Sequence, residues 1–211
     1  MKRFTFLSLG GIAIIIVLLS VTIKSNRSNE KVTAFNKSIT AGNKYDYKAA
    51  ADILMKLYND NKNDYLFNLR LGWLYYNLKD YKTSLNYYAK ATELQKNSIE
   101  ALMGYTLPLA ALNDWAKVEQ TYSKILRINP NDYYANLRLG QIYLNRAEYA
   151  KAAGYLETAY AGYPGEYEPN LSLGWTYYYL GKKNEAKKLF TNVIMLSEND
   201  SLGMLGLKLA N

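Results

Sequence analysis

The side chains that could do chemistry in this 211-residue sequence are carboxylates, tyrosines and arginines, because it contains no histidine and no cysteine. It therefore lacks the commonest general base, the usual partner of a catalytic serine and the thiolate ligands of metal sites. No glycine-rich phosphate loop is present, and carboxylate pairs such as Glu166 and Glu168 lie among turn residues. The sequence predicts a protein that is not an enzyme and that holds no metal and no cofactor.

Aromatic and arginine residues instead favour a binding surface. These residue types are enriched where proteins bind one another, and here they recur at helical spacing in three segments. The candidate peptide-binding residues are Leu69, Arg70, Trp73 and Tyr76 in the first segment, Tyr134, Arg138 and Gln141 in the second, and Trp175, Tyr178 and Tyr179 in the third. Packing against neighbouring elements is the alternative role for these side chains, above all for the leucine. Because Arg70 and Arg138 stand beside the rings, the predicted ligand is an apolar or aromatic segment with one or two acidic groups.

The three segments belong to a repeat. The sequence Asn-Leu-x-Leu-Gly starts at Asn68, Asn136 and Asn170, which are 68 and 34 residues apart, so a single period of 34 fits both intervals. A fixed period in this range is typical of repeat proteins. Counted from Lys31, the predicted repeats are 31–64, 65–98, 99–132, 133–166 and 167–200. The candidate binding residues therefore occupy related positions in different repeats.

Each repeat is predicted to be a pair of antiparallel helices. In repeat 65–98, Asn68, Leu71, Gly72 and Tyr75 fall on one face of a 3.6-residue period. Glycine in a helix interior costs about 1 kcal/mol relative to alanine, so its recurrence indicates close approach of the paired helix. The small residues expected to meet these glycines are Ser84, Ala152 and Ala186. The aspartates expected to cap first helices are Asp64, Asp132 and Asp200.

This pattern resembles the tetratricopeptide repeat over residues 31–200. The shared features are the Leu-Gly pair, the later Tyr, an acidic–aromatic turn, a small residue in the second helix, and a Pro before the next repeat at Pro130 and Pro164. The sequence departs from the family in repeat 99–132, where Thr106 replaces the Gly and Pro108 is expected to kink the first helix. Three further departures are asparagines that stand where the family often has Trp: Asn68, Asn136 and Asn170.

The resemblance implies an all-α fold, a right-handed α-solenoid of about five 34-residue helix hairpins, preceded here by one transmembrane helix. It also implies that the concave face of the first helices holds an extended or helical peptide of a protein partner. Some members of the family grip a C-terminal carboxylate with Lys, Arg and Asn side chains. In this sequence Trp73 and Gln141 stand where the required Asn residues would be, which disfavours that mode of binding.

The first thirty residues are predicted to direct the chain to a membrane. Residues 4–23 carry no charge over 20 positions, which as a helix spans about 30 Å, the thickness of a bilayer core. We interpret them as an uncleaved transmembrane signal-anchor, with a cleaved signal peptide as the alternative, because no A-x-A-like site follows. Lys2 and Arg3 favour a cytoplasmic tail at 1–3. The linker 24–30 and the repeats are then expected on the extracytoplasmic, periplasmic side of a single-pass membrane protein.

The C-terminal segment 201–211 is predicted to be a cap or a contact segment. It is too short for a full amphipathic helix, and Met204 and Leu207 are expected to stay partly exposed. The leucines expected to pack on the last repeat are Leu202, Leu205 and Leu209. Self-association through this segment, or contact with a membrane-bound partner, is the expected role.

Charge and organisation together predict the kind of function. The formal net charge of +8 is scattered along the chain, as on a solvated surface, and predicts no nucleic-acid partner. The predicted function is a membrane-anchored adaptor that binds a peptide segment of a partner protein, tethers it at the membrane and assists assembly of an envelope complex. The alternative is a structural subunit of a larger membrane-associated or self-assembling complex.

Overall fold

The structure, a computed structural model, describes residues 28–211, which form twelve helices and no strand. The predicted all-α fold is confirmed over these residues. In chain order the helices are α1 (28–43), α2 (Tyr47–Met55), α3 (Tyr58–Asn61), α4 (Tyr65–Asn77), α5 (Tyr81–Leu94), α6 (Ile99–Ala111), α7 (Trp115–Ile128), α8 (Tyr133–Asn145), α9 (Tyr149–Gly162), α10 (Tyr167–Tyr179), α11 (Lys183–Leu196) and α12 (Ser201–Ala210). The predicted tail 1–3 and signal-anchor 4–23 lie outside the described residues. Of the predicted linker 24–30, residues 28–30 are helical. No helix within the described part of the chain is long and apolar enough to cross a membrane.

Capping residues fix where the helices begin and end. The expected caps are confirmed, because the side chains of Asp64, Asp132 and Asp200 each accept a hydrogen bond from a backbone N–H in the first turn of α4, α8 and α12. Each hairpin turn contains one residue with φ between 59° and 76°, in the left-handed region that lets a helix end. These residues are spaced 34 apart: Tyr45, Lys79, Asn113, Ala147 and Gly181.

The chain divides into two compact units, Met1–Leu94 and Gln95–Asn211, hereafter the N-terminal and C-terminal units. In the described part of the N-terminal unit, α4 and α5 form a hairpin and α2 packs on α4 around buried Leu54 and Phe67. In the C-terminal unit, each of the helices α6 to α12 packs on the next, and α10 also contacts α8 and α12. Neighbouring hairpins thus share a core, in which Leu156 of α9 is fully buried.

Three glycines allow the helices of a hairpin to approach closely. Their facing side chains are large: Gly72 meets Tyr88, Gly140 meets Leu156 and Gly174 meets Phe190. A Cβ at Gly140 would lie 2.4 Å from Leu156 Cγ, so only glycine fits there without displacement. The predicted close approach is confirmed, although these large side chains lie nearest to where each Cβ would be. In repeat 65–98 the small residue Ser84 meets its glycine as predicted, because its Oγ donates a hydrogen bond to the Gly72 carbonyl oxygen at 2.7 Å.

The asparagines that open the three motifs hold the loop that precedes each first helix. In each case Nδ2 donates to two backbone carbonyls, four and six residues earlier, at 2.7–3.0 Å. All three side chains are at least 97% buried: Asn68, Asn136 and Asn170. The amide thus supplies hydrogen-bond donors to the carbonyl groups of the loop. The sequence did not predict this role, although the residue recurs at a fixed position.

Helix α6 continues through Pro108, where the sequence predicts a kink. Pro108 lies in the last turn of this 13-residue helix, so its missing N–H removes a single hydrogen bond near the end. Thr106, which takes the glycine position, is buried, and its Oγ1 donates to the Met103 carbonyl oxygen at 2.7 Å.

The C-terminal segment forms a 10-residue helix, α12, and packs by a face that the sequence did not predict. Its buried residues are Gly203, Gly206 and Ala210, and a Cβ at Gly206 would lie 2.4 Å from Phe190 Cε1. The expectation that the leucines pack on the last repeat is wrong, because the small residues let the backbone of α12 approach α11 instead. The exposed apolar residues of α12, each 40–48% accessible, are Leu202, Met204, Leu205 and Leu209.

Candidate functional site

Arg70 and Trp73 form a compact cluster in the N-terminal unit. The Arg70 guanidinium carbon lies 4.5 Å from the centre of the Trp73 ring, and Nη2 donates to the Ser38 carbonyl oxygen of α1 at 3.1 Å. Gly42 makes room for it, since a Cβ there would lie 2.3 Å from Nη2. Arg70 Nε and Ser38 Oγ are buried without a hydrogen-bond partner among the described residues. Burial lowers the pKa of Arg70 from its ordinary value. Because the Arg70 guanidinium is hydrogen-bonded to α1, it connects α1 to α4 in addition to any contact that it makes with a ligand.

The other predicted residues of the N-terminal unit are half-buried. Trp73 meets Tyr47 edge-on at 5.4 Å between ring centres, and Tyr76 lies against Tyr81 at 5.6 Å. Leu69 is also half-buried on α4. The structure therefore places Leu69, Arg70, Trp73 and Tyr76 on one helix. Arg70 contacts α1, Trp73 contacts α2 and Tyr76 contacts α5.

In the C-terminal unit, Arg138 and Gln141 of α8 connect to α10. Arg138 Nη1 lies 3.2 Å from a Glu168 carboxylate oxygen and donates to Gln141 Oε1 at 2.8 Å. Gln141 Nε2 in turn donates to Ser172 Oγ at 3.2 Å. Arg138 therefore already has a carboxylate partner within the chain. This pairing weighs against the predicted recognition of an acidic ligand at this position.

Tyr134 and Arg138 line a cleft of about 620 Å³ at the N-terminal ends of α8 and α10, hereafter the tyrosine cleft. Tyr133 and Tyr163 complete its aromatic wall, with ring centres 4.6 Å apart, and Tyr134 lies 5.1 Å from Tyr133. Tyr134 and Tyr163 are 58% and 53% exposed, although they are large aromatic side chains. Sequence reasoning missed Tyr163 because it lies in the loop before α10 and not on a helix face.

Carboxylates give the tyrosine cleft a negative charge. Asp132, Glu166 and Glu168 line it together with a single cation, Arg138. Glu166 stands at the capping position of α10, but its side chain makes no capping hydrogen bond, and no cation of the described residues pairs with it. Burial, followed by the nearby Glu166 and Glu168, raises the pKa of Tyr133, as expected beside negative charge.

Trp175, Tyr178 and Tyr179 form a second aromatic group at the C-terminal end of α10. Trp175 lies 5.9 Å from Tyr178 and 6.1 Å from Tyr179, and it also meets the buried ring of Phe190 at 5.0 Å. Tyr179 stacks on Tyr149 at 4.7 Å and is 51% exposed. Trp175 is thus partly a core residue, while Tyr179 presents most of the exposed ring surface of this group.

The arrangement is suited to binding. Among the described residues there is no group of three or more side chains that could hold a metal ion. Exposed rings, carboxylates and amide groups lie on the ends and faces of rigid helices, where they can contact a partner without rearrangement.

Comparisons with known proteins agree with this architecture. Models of the tetratricopeptide repeat match residues 67–98, 121–153 and 167–200. A tetratricopeptide repeat protein from Parabacteroides merdae has a TM-score of 0.75 at 18% identity, covering 86% of this chain and 72% of that chain. MamA from Desulfovibrio magneticus (residues 41 to the end) has a TM-score of 0.70 at 20% identity, covering 81% and 98%. YrrB, a TPR protein with an unusual peptide-binding site, has a TM-score of 0.70 at 16% identity, covering 90% and 97%. No curated protein sequence matches the chain.

The stacked hairpins and their exposed rings define an α-helical repeat protein built for interaction. More particularly, three segments of the chain match the tetratricopeptide repeat, a family whose members generally serve as protein–protein interaction scaffolds.

Proposed function

We propose that this chain is a tetratricopeptide-repeat adaptor that binds a peptide segment of a partner protein, with the tyrosine cleft as a principal contact. The observation that carries the proposal is the cleft itself, where Tyr134 and Tyr163 stay more than half exposed beside the carboxylate of Glu166, which pairs with no cation of the described residues. Amphipathic rings of this kind supply large contact area at low entropic cost.

The charge of the tyrosine cleft favours a partner segment that contains Lys or Arg. Its three carboxylates and one guanidinium make it net negative in a chain whose formal net charge is +8. A cation within about 6 Å of a tyrosine ring is attracted to its face, and Glu166 supplies a carboxylate for a charge-assisted hydrogen bond. The acidic ligand suggested by the sequence is less well suited here, because Arg138 is already paired with Glu168.

Site-directed photo-crosslinking tests this proposal. A photoreactive phenylalanine analogue placed at Tyr134 or Tyr163 in the full chain is expected to crosslink a partner protein in cells, and mass spectrometry of the product identifies the segment. The matched control is the same analogue at Tyr45, which is 80% exposed in the N-terminal unit. Equal crosslinking from all three positions would contradict a site at the cleft. With the identified segment as a synthetic peptide, Glu166→Gln is expected to weaken binding about tenfold, the loss of one charge-assisted contact.

We further propose that residues 4–23 tether this adaptor at a membrane, with the repeats on the extracytoplasmic side. The support is the uncharged length of that segment and the cations Lys2 and Arg3 before it. Protease added to intact spheroplasts is expected to degrade the repeats. Full protection would contradict this topology, and a soluble product that starts near residue 25 would show cleavage instead of anchoring.

A self-assembling structural subunit is the second candidate, and the exposed leucines of α12 favour it. Leu202, Leu205 and Leu209 share one side of the helix and are each at least 40% accessible, an apolar patch of the kind that marks interfaces. Light scattering of the full chain is expected to show a dimer or larger species that Leu205→Glu dissociates. The matched control is Leu66→Glu, which changes a similarly exposed leucine of α4. A monomer before and after the change would exclude this candidate.

A further inference from the structure

Helix α12 occupies the position of a first helix in the series of repeats. Ser201 lies 34 residues after Tyr167, the first residue of α10, and Asp200 caps α12 as Asp132 caps α8. Helix α12 packs on α10 and α11 in the way that α10 packs on α8 and α9. Each position of α12 can therefore be compared with the same position of an earlier first helix.

Positions that are buried in the earlier repeats are exposed in α12. Asn170 of α10 and Leu137 of α8 are fully buried, whereas Met204 and Leu205, which take their positions in α12, are 46% and 47% exposed. Helix α11 contacts the opposite side of α12, where Gly206 meets Phe190. An exposed apolar face of this kind marks an interaction surface.

The exposed residues of α12 include a regular stripe along the helix. Ser201, Met204, Leu205 and Lys208 follow one another at the i, i+3, i+4, i+7 spacing of one helix face, and all four are exposed; they are hereafter the α12 stripe. Helices pack along one another through stripes with this spacing. A helix is therefore the occupant whose shape fits the α12 stripe.

The charges of α12 lie at its two ends. Its cation, Lys208, is in the last turn, and two carboxylates precede the first turn, those of Glu198 and Asp200. Lys208 and Glu198 are exposed, and neither forms an ion pair with the described residues. A second copy of α12 in the antiparallel direction would place opposite charges against each other at both ends.

An antiparallel pair centred between Met204 and Leu205 matches the apolar groups as well. Met204 of each copy then meets Leu205 of the other, and Lys208 meets Ser201 of the other, beside the carboxylates that precede the helix. In a parallel pair the two Lys208 side chains would lie next to each other, and like charges across an interface are costly. The charges of α12 thus favour the antiparallel direction.

We propose that the α12 stripe is a homodimer interface, in which the α12 helices of two copies pack antiparallel about a two-fold axis between Met204 and Leu205. The interface is isologous, because the same patch is used on both copies, so the contact of Lys208 with the carboxylates of the other copy occurs twice. This inference rests on the self-assembling candidate proposed above. It adds the face that is used, the direction of the two helices and the charged groups that meet.

Cysteine crosslinking tests the geometry without interference, because the chain contains no cysteine. Met204→Cys and Leu205→Cys are introduced singly into the full chain, which is purified in detergent micelles and oxidised with copper phenanthroline. Both variants are expected to form a disulfide-linked dimer, since their positions lie beside the two-fold axis and a disulfide joins Cβ atoms about 4 Å apart. The matched control is Leu209→Cys, at a residue that is 40% exposed. In the proposed pair the two copies of that residue lie roughly 13 Å apart along the helices, so no crosslink is expected.

Charge exchange tests the contacts at the two ends. Lys208→Glu and Glu198→Lys each place like charges against one another, and each is expected to raise the dissociation constant of the dimer roughly tenfold, because the contact occurs twice. The double variant restores opposite charges and is expected to recover the affinity of the unmodified chain. Light scattering over a concentration series measures the dissociation constants, and circular dichroism is expected to show unchanged melting because both side chains are exposed.

The outcomes separate this geometry from self-assembly as such. Crosslinking at Met204 and Leu205 but not at Leu209, with recovery in the double variant, supports the antiparallel pair. A dimer that crosslinks equally well at Leu209, or that does not recover in the double variant, retains the self-assembling candidate and overturns this interface. A chain that is monomeric at all concentrations overturns both, while the adaptor function is judged separately by photo-crosslinking at the tyrosine cleft.

Discussion

Replacement of two glycines in the same repeat by alanine should have opposite effects on stability. Gly140 of α8 and Gly154 of α9 are both helical, so alanine should gain helix propensity at each, roughly 0.5–1 kcal/mol. The sites differ in the space available. A Cβ at position 140 would lie 2.4 Å from Leu156 Cγ and 2.6 Å from Leu156 Cδ2, whereas a Cβ at position 154 has open space within 4 Å.

The steric contact with Leu156 decides whether Gly140→Ala stabilises or destabilises the fold. Overpacking a buried site costs about 1–3 kcal/mol, and Leu156 is fully buried and held on all sides, so it cannot move away freely. We expect Gly140→Ala to lose up to about 2 kcal/mol net and Gly154→Ala to gain close to 1 kcal/mol. For a chain of this size the melting temperatures of the two variants should then differ by up to roughly 6–12 °C.

Thermal and urea unfolding followed by circular dichroism measure both changes. The control for the mechanism is the Leu156→Ala background, in which the space beside position 140 is vacated. There Gly140→Ala should become stabilising, so the two changes should be strongly non-additive. If Gly140→Ala is as stable as Gly154→Ala, or destabilises equally in the Leu156→Ala background, contact with Leu156 is not the reason for the glycine.

Three further outcomes are expected. Asn170→Leu should lower the free energy of unfolding by about 2–4 kcal/mol, measured by urea titration, because it orphans two loop carbonyls and the amide of Asn192; an unchanged midpoint would contradict the loop-holding role. Ala147→Gly should stabilise by about 1 kcal/mol, since alanine has a φ of 59° there, and a lower melting temperature would count against that account. The hydrogen bond from Tyr143, followed by the one from Arg146, lowers the pKa of Glu119 below its ordinary 4.5. The stabilisation that ionised Glu119 gives the fold is therefore present above pH 4.5 and is lost as the pH falls through the lower pKa of the folded state. In unfolding titrations, Glu119→Gln should reduce the difference between the free energies of unfolding at pH 6 and pH 3.

The sequence predicts the helices well because their determinants are local and repeated. The 34-residue period, the aspartate caps and the glycine on the first-helix face each depend on residues within one repeat. The residue that faces each glycine depends also on how the two helices of the hairpin pack together. Tyr88, Leu156 and Phe190 share an apolar, bulky character but no residue type, so a search for small partners in the second helix passed over them.

The misassignment of α12 has a similar cause. Ranking by hydrophobicity favours Leu205 as the buried residue, whereas burial here follows the backbone distance that Gly206 permits against Phe190. Side-chain hydrophobicity predicts which residues gain from burial, but shape decides which face of a helix can approach. Two glycines three residues apart, Gly203 and Gly206, carried that information in the sequence.

The candidate site depends on contacts between repeats, which the sequence alone could not give. Arg138 on α8 is neutralised by Glu168 on α10, and the charge of the tyrosine cleft follows from that pairing. Tyr163 enters the cleft from a loop, so a search for stripes on helix faces could not find it. The variation at the position of Trp73 could be recognised from the sequence, because repeat 133–166 has Gln141 there while repeat 167–200 again has a Trp, Trp175.

Comparison of the repeats within this one chain separates packing from binding. Features that recur, such as the Leu-Gly pair and the loop-holding asparagine, make the same contacts each time and are explained by the hairpin itself. Glu166 breaks the pattern, because it stands at the capping position of α10 without making a capping hydrogen bond. It lines the tyrosine cleft in the C-terminal unit. A binding partner that supplies a cation there would pair with this carboxylate, which is why the tyrosine cleft is where binding should be sought.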